Sequence, residues 1–281
     1  MTTPAGAWEL APTPTLTVNA AELHYEVRGD GPSTLMVMGA TGVGAHFEQV
    51  APLLADEFTV VTYDRRGNGR SPRPEGWTET STEEQADDAT ALLDALGLSP
   101  AAVFGTSGGA VFALCMLVRH PGAVRAAILH EPALFALFDD PDGTRAIVKG
   151  LVAEGMQQGG LPGALEQFWR FVAGDASWEG LEPGLREQML DSAGTYFGLE
   201  RGRFDAYVPP DDVLAAIAVP VAVMVGESSR PIFVQASRRL AERLGVEVTR
   251  VAGAHAAYLD HAPELAEAMR PFLREVSHPP A

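Results

Sequence analysis

Six short apolar runs, spaced by stretches with helical patterning, limit what this chain can fold into: Leu35–Met38, Phe58–Tyr63, Ala101–Phe104, Ala126–His130, Val219–Val225 and Val246–Val251. Their apolarity is continuous, so both faces of each run must be covered, the situation of parallel strands packed between helices. Ahead of them Leu16–Val18 and Leu23–Arg28 bracket Asn19-Ala20-Ala21-Glu22 as a hairpin that stops at Gly29-Asp30-Gly31-Pro32. Between the runs, Ser81 and Glu84 form a capping box, Ala89, Leu92, Leu93 and Leu96 an apolar stripe, and Gly97 a stop. Pro263 opens a last helix with Leu265, Met269, Phe272 and Leu273 on one face. A hairpin leading into βαβ units defines the α/β class.

One connection is too long for a single crossover: about eighty residues separate His130 from Val219. The expected organisation is a loose arm at residues 1–15, a core from 16–131 and 211–281, and an inserted helical cap at 132–210. Breaks at Gly155, Gly159-Gly160 and Gly174 predict several short helices there.

Composition narrows the function classes. With 46% apolar and 20% charged residues the chain can bury a large core in water. Its net charge is −17 and its basic residues are scattered, so nucleic acid is not an expected partner. The longest apolar run, Ala110–Val118, is far short of the ~20 residues that span a bilayer, and no membrane partner is expected. Cys115 is the single cysteine, and residues 1–15 lack the basic start and apolar stretch of a secretory signal, so the expected location is cytoplasmic. No Cys/His spacing resembles a metal site.

Gly105-Thr106-Ser107-Gly108-Gly109 carries the sharpest chemical signal, a G-x-S-x-G between a strand and a buried helix. A serine in such a tight turn exposes its hydroxyl at a helix N-terminus, where the Gly108 N–H can stabilise an oxyanion. A base must take the hydroxyl proton. His255, in Gly253-Ala254-His255 after the last strand, falls on the right edge, whereas His24, His120, His261 and His278 read as solvated and His130 as a packed core residue. Two carboxylates compete to orient His255. Glu131, next to Pro132 at a buried strand end, would be costly without a partner and is preferred to Glu227.

The loop Gly39-Ala40-Thr41-Gly42-Val43-Gly44 follows a strand but has neither G-x-G-x-x-G nor a Lys-Ser/Thr pair, so it is not read as a phosphate cradle. It offers the Ala40 N–H as a second oxyanion donor. Tyr63-Asp64-Arg65-Arg66-Gly67-Asn68-Gly69-Arg70-Ser71 reads as a hydrogen-bonded turn that buttresses the site, and Cys115 as a core residue. Thr41 and His46 near the first loop, and Trp169 and Trp178 among the insertion's aromatic residues Phe168, Phe171, Tyr196 and Phe197, are the candidates for contact with substrate.

These residues resemble the α/β-hydrolase-fold serine hydrolases, of the actinobacterial esterase/lactonase type, from about Leu23 to Leu273. The resemblance rests on Tyr63–Ser71, the turn at Ser107, Gly253-Ala254-His255 and Pro263-Glu264-Leu265. Two places depart from the pattern. Met38-Gly39 stands where many members have His-Gly, and Ser229 stands where the usual acid falls. A Glu after the preceding strand, in His130-Glu131-Pro132, is similar to the zearalenone lactonases. The resemblance implies an α/β-hydrolase fold, a mostly parallel sheet flanked by helices with a helical cap, and a triad of Ser107, His255 and Glu131. The expected activity is cleavage of an ester or lactone of an uncharged, fairly apolar small molecule, with no cofactor and at most a second copy of the chain, a homodimer, as partner. Epoxide opening and dehalogenation, which use an Asp nucleophile in this fold, are disfavoured by Ser107. The same triad would also serve thioester, amide or carbon–carbon cleavage, and the alternative from another class is a cofactor-free cyclase or a binding protein.

Overall fold

In the computed structural model, which describes residues 14–204 and 206–277, eight strands form one sheet in the order β1-β2-β4-β3-β5-β6-β7-β8. The strands are β1 (Thr15–Val18), β2 (Ala21–Arg28), β3 (Ser33–Val37), β4 (Thr59–Tyr63), β5 (Ala101–Thr106), β6 (Val124–His130), β7 (Val221–Gly226) and β8 (Val248–Val251). The hairpin β1–β2 and the β2–β4 pair are antiparallel, and every pair from β4 to β8 is parallel. The expected arm falls outside the described residues except for its last two, and Thr15 already belongs to β1, opposite His24.

The helices are α1 (Ala51–Leu54), α2 (Thr82–Ala95), α3 (Gly108–Arg119), α4 (Pro141–Ala173), α5 (Asp175–Glu179), α6 (Pro183–Thr195), α7 (Asp211–Ala215), α8 (Pro231–Leu244), α9 (Ala257–Asp260) and α10 (Ala262–Ser277). Residues of α2, α3 and α8 pack with Leu35, Val37 and Val103 on one face of the sheet; α1 and α10 pack with Met36, Phe104 and Ile128 on the other. Alternate residues of β3 and β5 therefore enter different cores, which is why their apolar runs are unbroken. Ser81 Oγ accepts from the Glu84 N–H at 3.1 Å at the start of α2, while the Glu84 carboxylate accepts from Trp77 Nε1. The capping box is therefore one-sided.

The sheet order reverses between β3 and β5: the chain steps from β3 outward to β4, then returns to the other side of β3. Such a switch point opens a crevice at the carboxyl ends of the two strands. Gly39 and Ser107 follow those ends.

Between β6 and β7 lies the helical cap. Its helices are longer than Gly breaks alone suggest. α4 continues through Gly155 and changes direction only at Gly159 (φ −153°, ψ 20°) and Gly160 (φ 63°, ψ −148°). The two arms then cross so closely that a Cβ on Gly155 would lie 2.3 Å from Gly163 O. Gly155 is thus a contact point rather than a break. No helix among the described residues is long and apolar enough to cross a membrane.

Candidate active site

Ser107 sits between β5 and α3 with φ 56° and ψ −124°, a conformation that L-residues rarely adopt. Its N–H donates to His130 O at 3.0 Å, and its carbonyl accepts from Ala110 N and Ala133 N. The turn is tight enough that a Cβ on Gly105 would lie 2.4 Å from Gly109 O. Its half-buried side chain lines a cavity and, among the described residues, makes no hydrogen bond.

The bond from Ser107 N to His130 O brings the residue after His130 alongside. Glu131 (φ 46°) is fully buried. Its Oε2 lies 2.7 Å from His255 Nδ1, and its Oε1 accepts from Gly226 N at 2.9 Å and from Ser229 Oγ. Burial alone would raise this carboxyl's pKa. The hydrogen bond from His255, the charges of His130 and His255 and the Ser229 hydroxyl more than offset it and hold the pKa down at about 2. A carboxylate can only accept, so Nδ1 of His255 carries the proton and Nε2 is left as the acceptor. The imidazole is 4% exposed and stacks on Phe233 with centroids 3.9 Å apart. Among the described residues no hydrogen bond joins it to Ser107; such contacts often tighten only when substrate binds. Glu227 is exposed, and among the described residues no hydrogen bond or ion pair joins it to His255.

The loop after β3 closes over the start of α3. A Cβ on Gly39 would lie 2.6 Å from Gly108 N, and Gly39, Ala40, Ser107 and Gly108 share the cavity wall. The rest of the wall is mostly aromatic or aliphatic: Phe135 and Phe138 from the start of the insertion, Phe168 and Phe171 from α4, Phe204 and Phe233. Arg201 is the one charged side chain in the lining. The cavity holds about 50 Å³.

The four expected substrate contacts lie away from this cavity. Thr41, His46, Trp169 and Trp178 line no part of this cavity. Trp169 stacks on His46 at 5.3 Å, and Thr41 Oγ1 lies 3.2 Å from His46 Nε2. Burial drives the His46 pKa down to about 3, so that ring is a neutral core residue. Trp178 is buried beneath the Arg186 guanidinium. For Trp169 the reason is helical phase: Phe168, Phe171 and Val172 occupy the i, i+3, i+4 face toward the cavity, and Trp169 is turned about 100° away. His24, expected in solvent, is fully buried and 3.5 Å from Glu26. His130 is fully buried with Nδ1 2.9 Å from Thr106 Oγ1; burial lowers its pKa to about 4, against the pull of Glu131. His120 and His261 are half-buried beside Asp87 and Asp260, and His278 lies outside the described residues. Among the described residues no three His, Cys, Asp or Glu side chains form a metal-holding group.

The fold is that of a known class: residues 34–262 match the alpha/beta hydrolase fold family, and the chain belongs to it. Among its relatives is YraK of Bacillus subtilis (strain 168), an uncharacterized hydrolase, 31% identical over 266 residues that cover 93% of this chain and 96% of the relative. The zearalenone hydrolase of Bionectria ochroleuca is 34% identical over 118 residues, 41% of this chain and 45% of that one. Among solved structures, an alpha/beta hydrolase from Sphaerobacter thermophilus superposes with a TM-score of 0.70 at 25% identity, covering 90% of this chain and 99% of the other.

Proposed function

We propose that this chain is a serine hydrolase that cleaves an ester or lactone of an uncharged, fairly apolar small molecule. The observation that carries the reading is the 2.7 Å contact between His255 Nδ1 and buried Glu131, at the strand end next to Ser107. Ser107 Oγ attacks the carbonyl carbon while His255 Nε2 takes its proton; Glu131 holds the tautomer and balances the imidazolium. The N–H groups of Gly108 and Ala40 hold the negative oxygen. His255 then returns the proton to the leaving alcohol, and water clears the acyl group from Ser107 by the same steps in reverse. The aromatic wall supports an apolar acyl or ring group, and the relatives named hydrolases support the reaction class.

The test is labelling by a fluorophosphonate together with turnover of p-nitrophenyl acetate and butyrate. Covalent labelling at Ser107 with turnover is expected; neither labelling nor turnover would return the chain to the binding-protein or cyclase reading. Phe171 is half-buried in the wall beneath the Arg230 guanidinium. Phe171→Ala is expected to shift preference toward longer acyl chains, with kcat/KM for the octanoate ester rising roughly 10-fold relative to the acetate. An unchanged chain-length profile would place the acyl group elsewhere.

A further inference from the structure

Arg65 is 1% exposed and Glu200 is fully buried, and the two form a bidentate ion pair with Nη1–Oε1 of 2.7 Å and Nη2–Oε2 of 2.8 Å. Arg65 follows β4 in the core, whereas Glu200 ends the turn after α6 in the cap. The guanidinium has further partners. Nε donates to Met38 O at 3.0 Å, Nη2 to Gly39 O at 2.7 Å and Nη1 to Gln85 Oε1 at 2.8 Å. Asn68 Nδ2 braces the carboxylate at 2.8 Å, and the guanidinium lies over the Phe112 ring.

The carbonyl of Gly39 and the N–H of Ala40 belong to one peptide plane and, in a trans peptide, point in opposite directions. Fixing the carbonyl on Arg65 therefore turns the Ala40 N–H the other way, and a positive charge on the carbonyl side polarises that N–H into a stronger donor. We propose that Glu200 and Arg65 are positioning residues: the cap carboxylate sets Arg65, and Arg65 orients the Gly39–Ala40 peptide so that the Ala40 N–H meets the oxyanion. The inference rests on the hydrolase reading and deepens it, because it ties the rate of the chemical step to one carboxylate of the cap, Glu200, rather than to the cap's other contacts with the core. Other cap-to-core ties bypass this route: Thr195 Oγ1 donates to Gly67 O at 2.7 Å, and Ser192 Oγ accepts from Gly69 N at 2.8 Å.

The experiment measures kcat and KM for p-nitrophenyl butyrate and the inhibition constant of an apolar trifluoromethyl ketone, which forms the tetrahedral oxyanion on serine. It uses the full chain with Glu200→Gln, Glu200→Asp and Thr195→Val. Glu200→Gln is expected to lower kcat about 10- to 100-fold and weaken the ketone by a similar factor, with KM changed less than about threefold. Thr195→Val, which loosens the cap without touching Arg65, is expected to stay within about twofold of the unmodified protein in kcat. Should Glu200→Gln fail to fold, Glu200→Asp keeps the buried counter-charge but is too short to hold the same geometry, and it is read in the same way. The proposal is overturned if the ketone binds either Glu200 variant as tightly as the unmodified protein, or if Thr195→Val loses as much kcat. No labelling and no turnover in the unmodified protein would instead strike the hydrolase reading.

Discussion

Ser107→Ala is expected to lower kcat for p-nitrophenyl butyrate by about 10⁵- to 10⁶-fold and to abolish fluorophosphonate labelling, while leaving the fold intact. On the proposed mechanism the size follows from losing the atom that forms the acyl bond; the N–H groups of Gly108 and Ala40 would still bind an oxyanion and leave weak residual catalysis. The fold should not notice. Among the described residues the hydroxyl supports no hydrogen bond, and the bonds that hold the turn run from the backbone to His130, Ala110 and Ala133. Circular dichroism and thermal melting should match the unmodified protein. A variant that retains more than about a hundredth of the activity would remove Ser107 as nucleophile.

Glu131→Gln is expected to lower kcat by about 10³- to 10⁴-fold, and Glu227→Gln to change it less than about twofold. The amide group is nearly the same size, so the reason is the proton. Gly226 N and Ser229 Oγ claim one oxygen of residue 131. A glutamine that keeps its carbonyl there turns its NH₂ toward His255 Nδ1, which must then accept. The proton moves to Nε2, and the imidazole can no longer take one from Ser107. Stability carries a matching signature. The folded-state pKa of Glu131 is depressed, from 4.5 to about 2, so its contribution is complete above the unfolded value and is lost as pH falls through the folded one. Across pH 4.5 to 2 this amounts to on the order of 3 kcal/mol, and melting curves should show unmodified protein and Glu131→Gln converging as pH drops through that window. Parallel curves would deny Glu131 its charge.

The core was legible because buried parallel strands leave unbroken apolar runs, and each of the six runs overlaps a strand within a few residues. The turn at Ser107 was legible because its glycines mark a steric demand rather than a preference. Glu131 could be singled out because a carboxylate beside Pro132 at a buried strand end needs a partner, and the structure seats it against His255. The cap was harder. Its aromatic residues announce a group, but which ring faces the cavity depends on helical phase, and Trp169 differs from Phe168 by one position. The pair Phe135 and Phe138, Phe204 and Phe233 converge on the cavity from three separate stretches of chain, and no local period links the three. Arg65 and Glu200 are 135 residues apart, and one of three arginines in a turn carries no sign of its acid. Ser229 looked like a missing acid; in the structure its hydroxyl donates to the Glu131 carboxylate.

Ser107 and Glu131, at neighbouring strand ends, both hold positive φ without being glycine. Such conformations cost about 1–3 kcal/mol each. Ser107→Gly should relieve the first, and its melting temperature should rise by about 2–4 °C even though hydrolysis is lost. Durability and reactivity thus pull against each other within two adjacent backbone turns. An inert descendant of this chain would have an easy route to greater ruggedness, one that the working molecule forgoes.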